Sequence, residues 1–180
     1  MGGIDLTVWV PILATWVLAV GTLVFAFWQL RQNQRLHSAS TLLQLRDQFS
    51  GPRYRQARRT LSTWLLGDER TDEPDDWEVG LFFQLLGSLT RTRAIERKLV
   101  RDAFGTWITA YYTRMTRPVD LLARWRAQSK DPLIFADFEW LAHRIIEEER
   151  RRAPGPGFDE TLAEEARYVL EGDARLAPSP

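Results

Sequence analysis

The sequence of this 180-residue chain predicts an all-α fold: one N-terminal transmembrane helix continuing into a five- to six-helix cytoplasmic bundle. Three observations carry the prediction. Val8 to Leu30 is a run of 23 residues without a charge. Beyond it, apolar residues recur at helical spacing, and no stretch alternates cleanly as a strand does. Glycine and proline then punctuate the chain at helix-length intervals.

A bilayer core of about 30 Å takes roughly 20 helical residues, so the apolar run suits a single crossing. Twelve of its positions are Val, Ile, Leu or Phe. They favour insertion by about 4–7 kcal/mol before Pro11, Gly21 and the threonines are discounted. Trp9 and Trp28 stand about 28 Å apart along a helix, the separation of two interfacial aromatic belts. A cleavable signal peptide fits poorly, because no basic residue precedes the run, the run is too long and no small-x-small site follows. Met1-Gly2-Gly3 falls short of a myristoylation signal, since Leu6 stands where Ser or Thr is required. Arg31 and Arg35 follow the span at once, placing the N-terminus outside and the rest in the cytoplasm of the cell (inner) membrane. Thr15, Ala19, Thr22 and Ala26 form a narrow stripe of small residues, a candidate surface for pairing of the span with a second copy.

The chain divides into 1–30 as N-terminal segment and anchor, 31–152 as a helical domain, and 153–180 as a Pro/Gly linker, a short amphipathic helix and a disordered tail. The juxtamembrane helix runs to about Phe49 with Leu36, Ala39, Leu42 and Leu43 on its stripe, and Ser50-Gly51-Pro52 stops it. Tyr54, Ala57, Leu61, Trp64 and Leu65 line a second helix ending at Gly67. An acidic loop, 68–76, follows, and Asp75 or Asp76 can cap a third helix with Trp77, Leu81, Phe82, Leu85, Leu86 and Leu89 as its buried stripe. A fourth begins near Thr92–Ile95, carries Leu99, Val100, Ala103 and Phe104, and is interrupted by Gly105. A fifth takes Trp107, Ile108, Tyr111, Tyr112 and Met115, is kinked or broken at Pro118, and extends through Leu121, Leu122 and Trp125. Asp131-Pro132 opens the next, with Phe135, Phe138, Leu141 and Ile145 on one face. Beyond the linker, Leu162, Ala166, Val169 and Leu170 mark a short amphipathic segment.

The chain is neutral overall, but its charge is unevenly spread: residues 31–66 carry a net +6 and 67–80 a net −6. Arg31 and Arg35 lie within a Debye length of anionic headgroups, whereas Arg46 stands about 24 Å along the helix. The second helix would run back toward the membrane and bring the acidic loop beside Arg31 and Arg35. The basic residues Arg53, Arg55, Arg58 and Arg59 fit solvated helix faces as well as lipid, and nucleic acid is disfavoured as a partner.

Nothing here reads as a catalytic motif. No G-x-S-x-G phrase occurs, and the one Gly-dense run, Pro154-Gly155-Pro156-Gly157, lacks the backbone donors of a phosphate cradle. The acidic loop misses the glycine and glutamate positions of a calcium loop. His37 and His143, with no cysteine, make no common zinc set. No enzyme, metal or cofactor is expected.

The run FFQLLGSLTRTRAIERKLVRDAFGTWITAYYTRM and the later DPLIFADFEWLAHRI, with Phe138-Glu139-Trp140-Leu141 at its centre, resemble an uncharacterised bacterial family of single-span membrane proteins. The likeness extends over about 8–150 and leaves the 153–180 tail outside. It implies one N-terminal span, a basic juxtamembrane helix and a small helical cytoplasmic domain, and it implies no activity. The expectation is a membrane-tethered helical interaction or scaffold module with a protein partner; the alternative is a membrane effector or regulator acting through oligomerisation of its span.

Overall fold

The computed structural model describes residues 38–67, 77–117 and 120–176. Among them every regular element is an α-helix: α1 (38–50), α2 (Pro52–Leu66), α3 (Glu78–Arg91), α4 (Arg97–Thr116), α5 (Leu121–Ser129), α6 (Ala136–Arg152) and α7 (Phe158–Ala174). The span and its stripe lie outside the described residues, and so do the acidic loop and both proposed caps, Asp75 and Asp76. Among the described residues no helix is long and apolar enough to cross a membrane.

Local chemistry sets most boundaries. Pro52 at the first turn of α2 loses no needed donor, and Gly67 closes that helix by donating to Thr63 O and Trp64 O. Arg117 at the end of α4 is extended, as a residue before proline is driven to be. The amide of Ala94 bonds Leu89 O and that of Arg93 bonds Thr90 O, a Schellman closure of α3 with Arg93 left-handed at φ 62°. A side chain there costs what glycine avoids, so Arg93→Gly should stabilise by about 0.5–1 kcal/mol. Thermal unfolding checks it, and an unchanged or lower Tm counts against the argument.

The centre of the molecule is aromatic. Phe49 of α1 stacks on Phe82 at 4.6 Å and meets Phe104 edge-on at 5.7 Å, while Phe83 stacks on Phe138 at 5.2 Å. Trp125 packs against Phe135 and Trp77 at 5.5 and 6.0 Å in a second nest. Helices α3 and α6 cross closely at Gly87, where an added Cβ would lie 2.2 Å from Asp137 O. Beside the crossing, Gln84 Oε1 accepts the amides of Asp137 and Phe138 at 3.0 Å each. A side chain from α3 thus caps α6, whose own preceding residue, Phe135, offers no capping oxygen.

Four details differ from the sequence reading. Gly105 does not interrupt anything: α4 is one helix of 20 residues. Burial of Val100, Phe104, Ile108 and Tyr111 outweighs the roughly 1 kcal/mol that glycine costs mid-helix, and Gly105 lets α6 approach at Ile145. Leu81 and Leu85 are not core; they stand about half exposed. Gly80 and Gly87, seven residues apart and so on one face, turn that face inward against Phe135 and α6, which rolls the two leucines out. Leu43 faces solvent as well. Finally, α6 starts at Ala136 and not at Asp131, whose carboxylate instead accepts the Leu133 amide in a turn.

The sequence also sets 153–180 apart from the domain. In the structure α7, 17 residues long, packs chiefly on α2 and α4. Its Ala166, Leu170 and Asp173 are buried, and the bundle holds seven helices among the described residues instead of five or six.

Candidate functional site

Helices α2 and α4 form a groove that is lined with apolar side chains and carries one buried charge. Leu61 and Leu65 of α2 and Ile108 and Tyr111 of α4 are fully buried, and α7 lies along both helices. Arg58 rides on the same stripe of α2, three residues before Leu61. It is 6 % exposed. Its guanidinium sits 4.5 Å over the Phe49 ring, a cation–π contact, and Nη1 donates to Asp173 Oδ1 of α7 at 2.8 Å. Tyr111 donates its hydroxyl to the other oxygen, Asp173 Oδ2, also at 2.8 Å. Because that proton points to the carboxylate, the phenol oxygen is left to accept from Ser62 Oγ at 2.7 Å. The result is a chain, Ser62 to Tyr111 to Asp173 to Arg58, joining α2, α4 and α7 under apolar cover.

Burial pushes the Asp173 carboxyl above its ordinary 3.8, with Arg58 and the Tyr111 hydroxyl pulling it back. The folded state therefore holds that proton to higher pH than the unfolded chain. Its contribution to stability is full below the ordinary value and declines as pH rises through the raised one. Burial, and next the Asp173 charge, raise the Tyr111 phenol well above 10, so it stays a hydrogen-bond donor. Arg58 Nε is buried with no hydrogen-bond partner among the described residues. Both oxygens of the Asp173 carboxylate are thus engaged, one by Arg58 of α2 and the other by Tyr111 of α4.

Two open clefts flank α7. One, of about 540 Å³, lies between α4 and the start of α7 and is lined by Arg101, Thr106, Thr109, Ile145 and Phe158. Arg101 is committed there to Asp102 and Glu148. The other, of about 560 Å³, contains His143 of α6 with its Nε2 2.8 Å from the Tyr112 hydroxyl. The two rings meet edge to face at 5.1 Å, pinning α6 to α4. Burial, then Glu139 and Asp120, raise the Tyr112 phenol, so this pair too rests with its phenol protonated. Among the described residues no three His, Cys, Asp or Glu gather as a metal site.

The residues singled out from sequence, Trp9, Trp28, Arg31, Arg35, Thr15, Ala19, Thr22 and Ala26, all lie outside the described residues. The basic stretch on α2 is broken up. Arg53 pairs with Glu78, Arg55 donates to Ser50 O at 3.0 Å, and Arg58 turns inward. The buried chain itself escaped sequence reasoning. Its signal was there: Arg58 falls on the Leu61–Leu65 stripe, and Asp173 falls three residues after Leu170 and seven after Ala166. A charge inside an apolar stripe requires a buried partner.

The model of a family described as a domain of unknown function (DUF4760) matches residues 16–145. The match opens inside the uncharged N-terminal run and closes within α6, short of α7. No curated protein and no solved structure matches the chain.

Proposed function

This chain belongs to the DUF4760 family, and on that footing we propose that it is a membrane-tethered interaction module. A single N-terminal span, 8–30, holds a helical domain at the cytoplasmic face of a bacterial cell membrane, with the N-terminus outside. The domain works by binding helices. The observation that carries this reading is the α2/α4 groove, which already recognises one helix through the buried Arg58–Asp173–Tyr111 contacts. Supporting the tether are the 23 uncharged residues, the arginines directly after them, and a family match that begins within them. Anchoring raises the local concentration of the groove beside other membrane components.

Protease added to spheroplasts tests the topology. Removal of an N-terminal tag with retention of a C-terminal tag is the expected result; the reverse, or recovery of the full chain in the soluble fraction, overturns it. Crosslinking and pull-down from native membranes should recover a partner lost in an Arg58→Ala variant.

A second reading, an effector or regulator acting through span oligomerisation, rests on Thr15, Ala19, Thr22 and Ala26. Ala19→Leu with Ala26→Leu should lower the crosslinked dimer yield, and an unaltered yield removes the reading.

A further inference from the structure

The bundle carries basic residues at the end where α1 begins. Helix α1 lies antiparallel to α3: Ser38 Oγ donates to Ala94 O at 3.0 Å near one end, and Phe49 stacks on Phe82 near the other. The α3–α4 turn therefore sits beside the start of α1. With its flanks, residues 91–98, it holds four basic side chains, Arg91, Arg93, Arg97 and Lys98, against one acid, Glu96. Arg91 and Arg97 are paired with Asp137 and Glu148 of α6, and Lys98 stands one turn before Asp102. Arg93 is exposed, and its guanidinium has no hydrogen-bond or ion-pair partner among the described residues. Its backbone is left-handed at φ 62°, a conformation glycine takes without strain. An unpaired arginine thus stands where the turn itself favours glycine. The acidic stretch after Gly67 sets out from the opposite end. Arg114 donates to Leu65 O at 3.1 Å, which puts the close of α2 about 26 Å along α4 from Arg97.

We infer that the α3–α4 turn rests on anionic lipid headgroups of the membrane that tethers the chain, with Arg93 making the contact. This rests on the reading of 8–30 as a span. Ser38 follows Leu30 by eight residues, about 12 Å at the helical rise, and headgroups fill about 5–8 Å beyond the hydrocarbon. The remaining gap is shorter than the Debye length of about 8 Å, and an extended arginine side chain spans it. A basic residue so placed favours the surface-bound arrangement about fivefold. The left-handed backbone of Arg93 is then strain kept for a contact that lies outside the domain.

The chain has no cysteine, so the exposed Ala94, substituted Ala94→Cys in the full chain, gives a unique site for a fluorophore. The labelled chain is reconstituted in phosphatidylcholine vesicles with and without phosphatidylglycerol, each carrying a trace of headgroup-quencher lipid. Phosphatidylglycerol should raise the quenched fraction, and added salt should reverse the rise. Arg93→Gly should lower the ratio of quenched to unquenched chains about fivefold while raising Tm, whereas Arg93→Lys keeps most of the quenching. The opposite signs separate a membrane contact from a structural role: quenching lost together with a lower Tm assigns Arg93 to the turn and overturns the proposal. Quenching indifferent to phosphatidylglycerol, or unaltered by Arg93→Gly, overturns it as well. Flotation with phosphatidylcholine vesicles alone scores the tether separately. A chain that floats but shows charge-independent quenching keeps the tether and loses this contact; a chain that does not float loses both.

Discussion

Asp173→Ala should lower the unfolding free energy by about 3–5 kcal/mol, far more than an ordinary surface ion pair contributes, because it strands the Arg58 charge under apolar cover. Both side chains are less than a tenth exposed, so water cannot take over the lost contact. Tyr111 also loses its acceptor, although Ser62 remains beside it. The sign reverses when both charges go. Arg58→Met with Asp173→Leu removes the desolvation cost along with the attraction, and such apolar replacements are commonly neutral or stabilising. Urea titration of the full chain and its variants closes the double-mutant cycle. Single and double effects that simply add would mean the two side chains are not energetically coupled, and the buried pair would lose its central place in the account of α7.

Gly87→Ala is the second large effect, and two terms oppose each other in it. Alanine is the better helix former by about 1 kcal/mol, which would favour the substitution on an exposed helix. Here the new Cβ would stand 2.2 Å from a backbone oxygen of α6, not from the tip of a mobile side chain. The helices must separate, and separation pulls Gln84 from the two amides it caps at the start of α6. Overpacking of about 1–3 kcal/mol and loss of a cap worth about 1 together exceed the propensity gain of about 1, leaving a net destabilisation of about 1–3 kcal/mol. A raised Tm for Gly87→Ala would show that α3 and α6 do not meet at this residue.

How far the fold could be read in advance depended on where its information lies along the chain. The stops at Gly51-Pro52 and Gly67 and the stripes of α2 and α6 are local: a proline ring or a 3.6-residue period acts within one turn. The failures share a different cause. Gly105 looked like a breaker because its cost is local, while its compensation, the packing of α4 against α6, is not. Leu81 and Leu85 looked like core because hydrophobicity marks faces, whereas α3 buries the side that bears Gly80, Phe83 and Gly87, whose two glycines carry no hydrophobicity to mark their close contacts. The candidate site was legible only as two anomalies, a charge on the stripe of α2 and another on that of α7. Nothing within either helix says that these two anomalies, 115 positions apart, answer each other.

By itself, then, the sequence determined the all-helical class, most helix boundaries and the uncharged N-terminal run, since each follows from residues within a few turns of one another. Only the tertiary structure decided that α7 belongs to the domain, that α3 and α6 touch at a glycine, and that Arg58, Tyr111 and Asp173 form one buried chain. These depend on which faces meet. Burial is a property of two surfaces at once, and a desolvated charge takes its meaning from the partner that the fold brings to it.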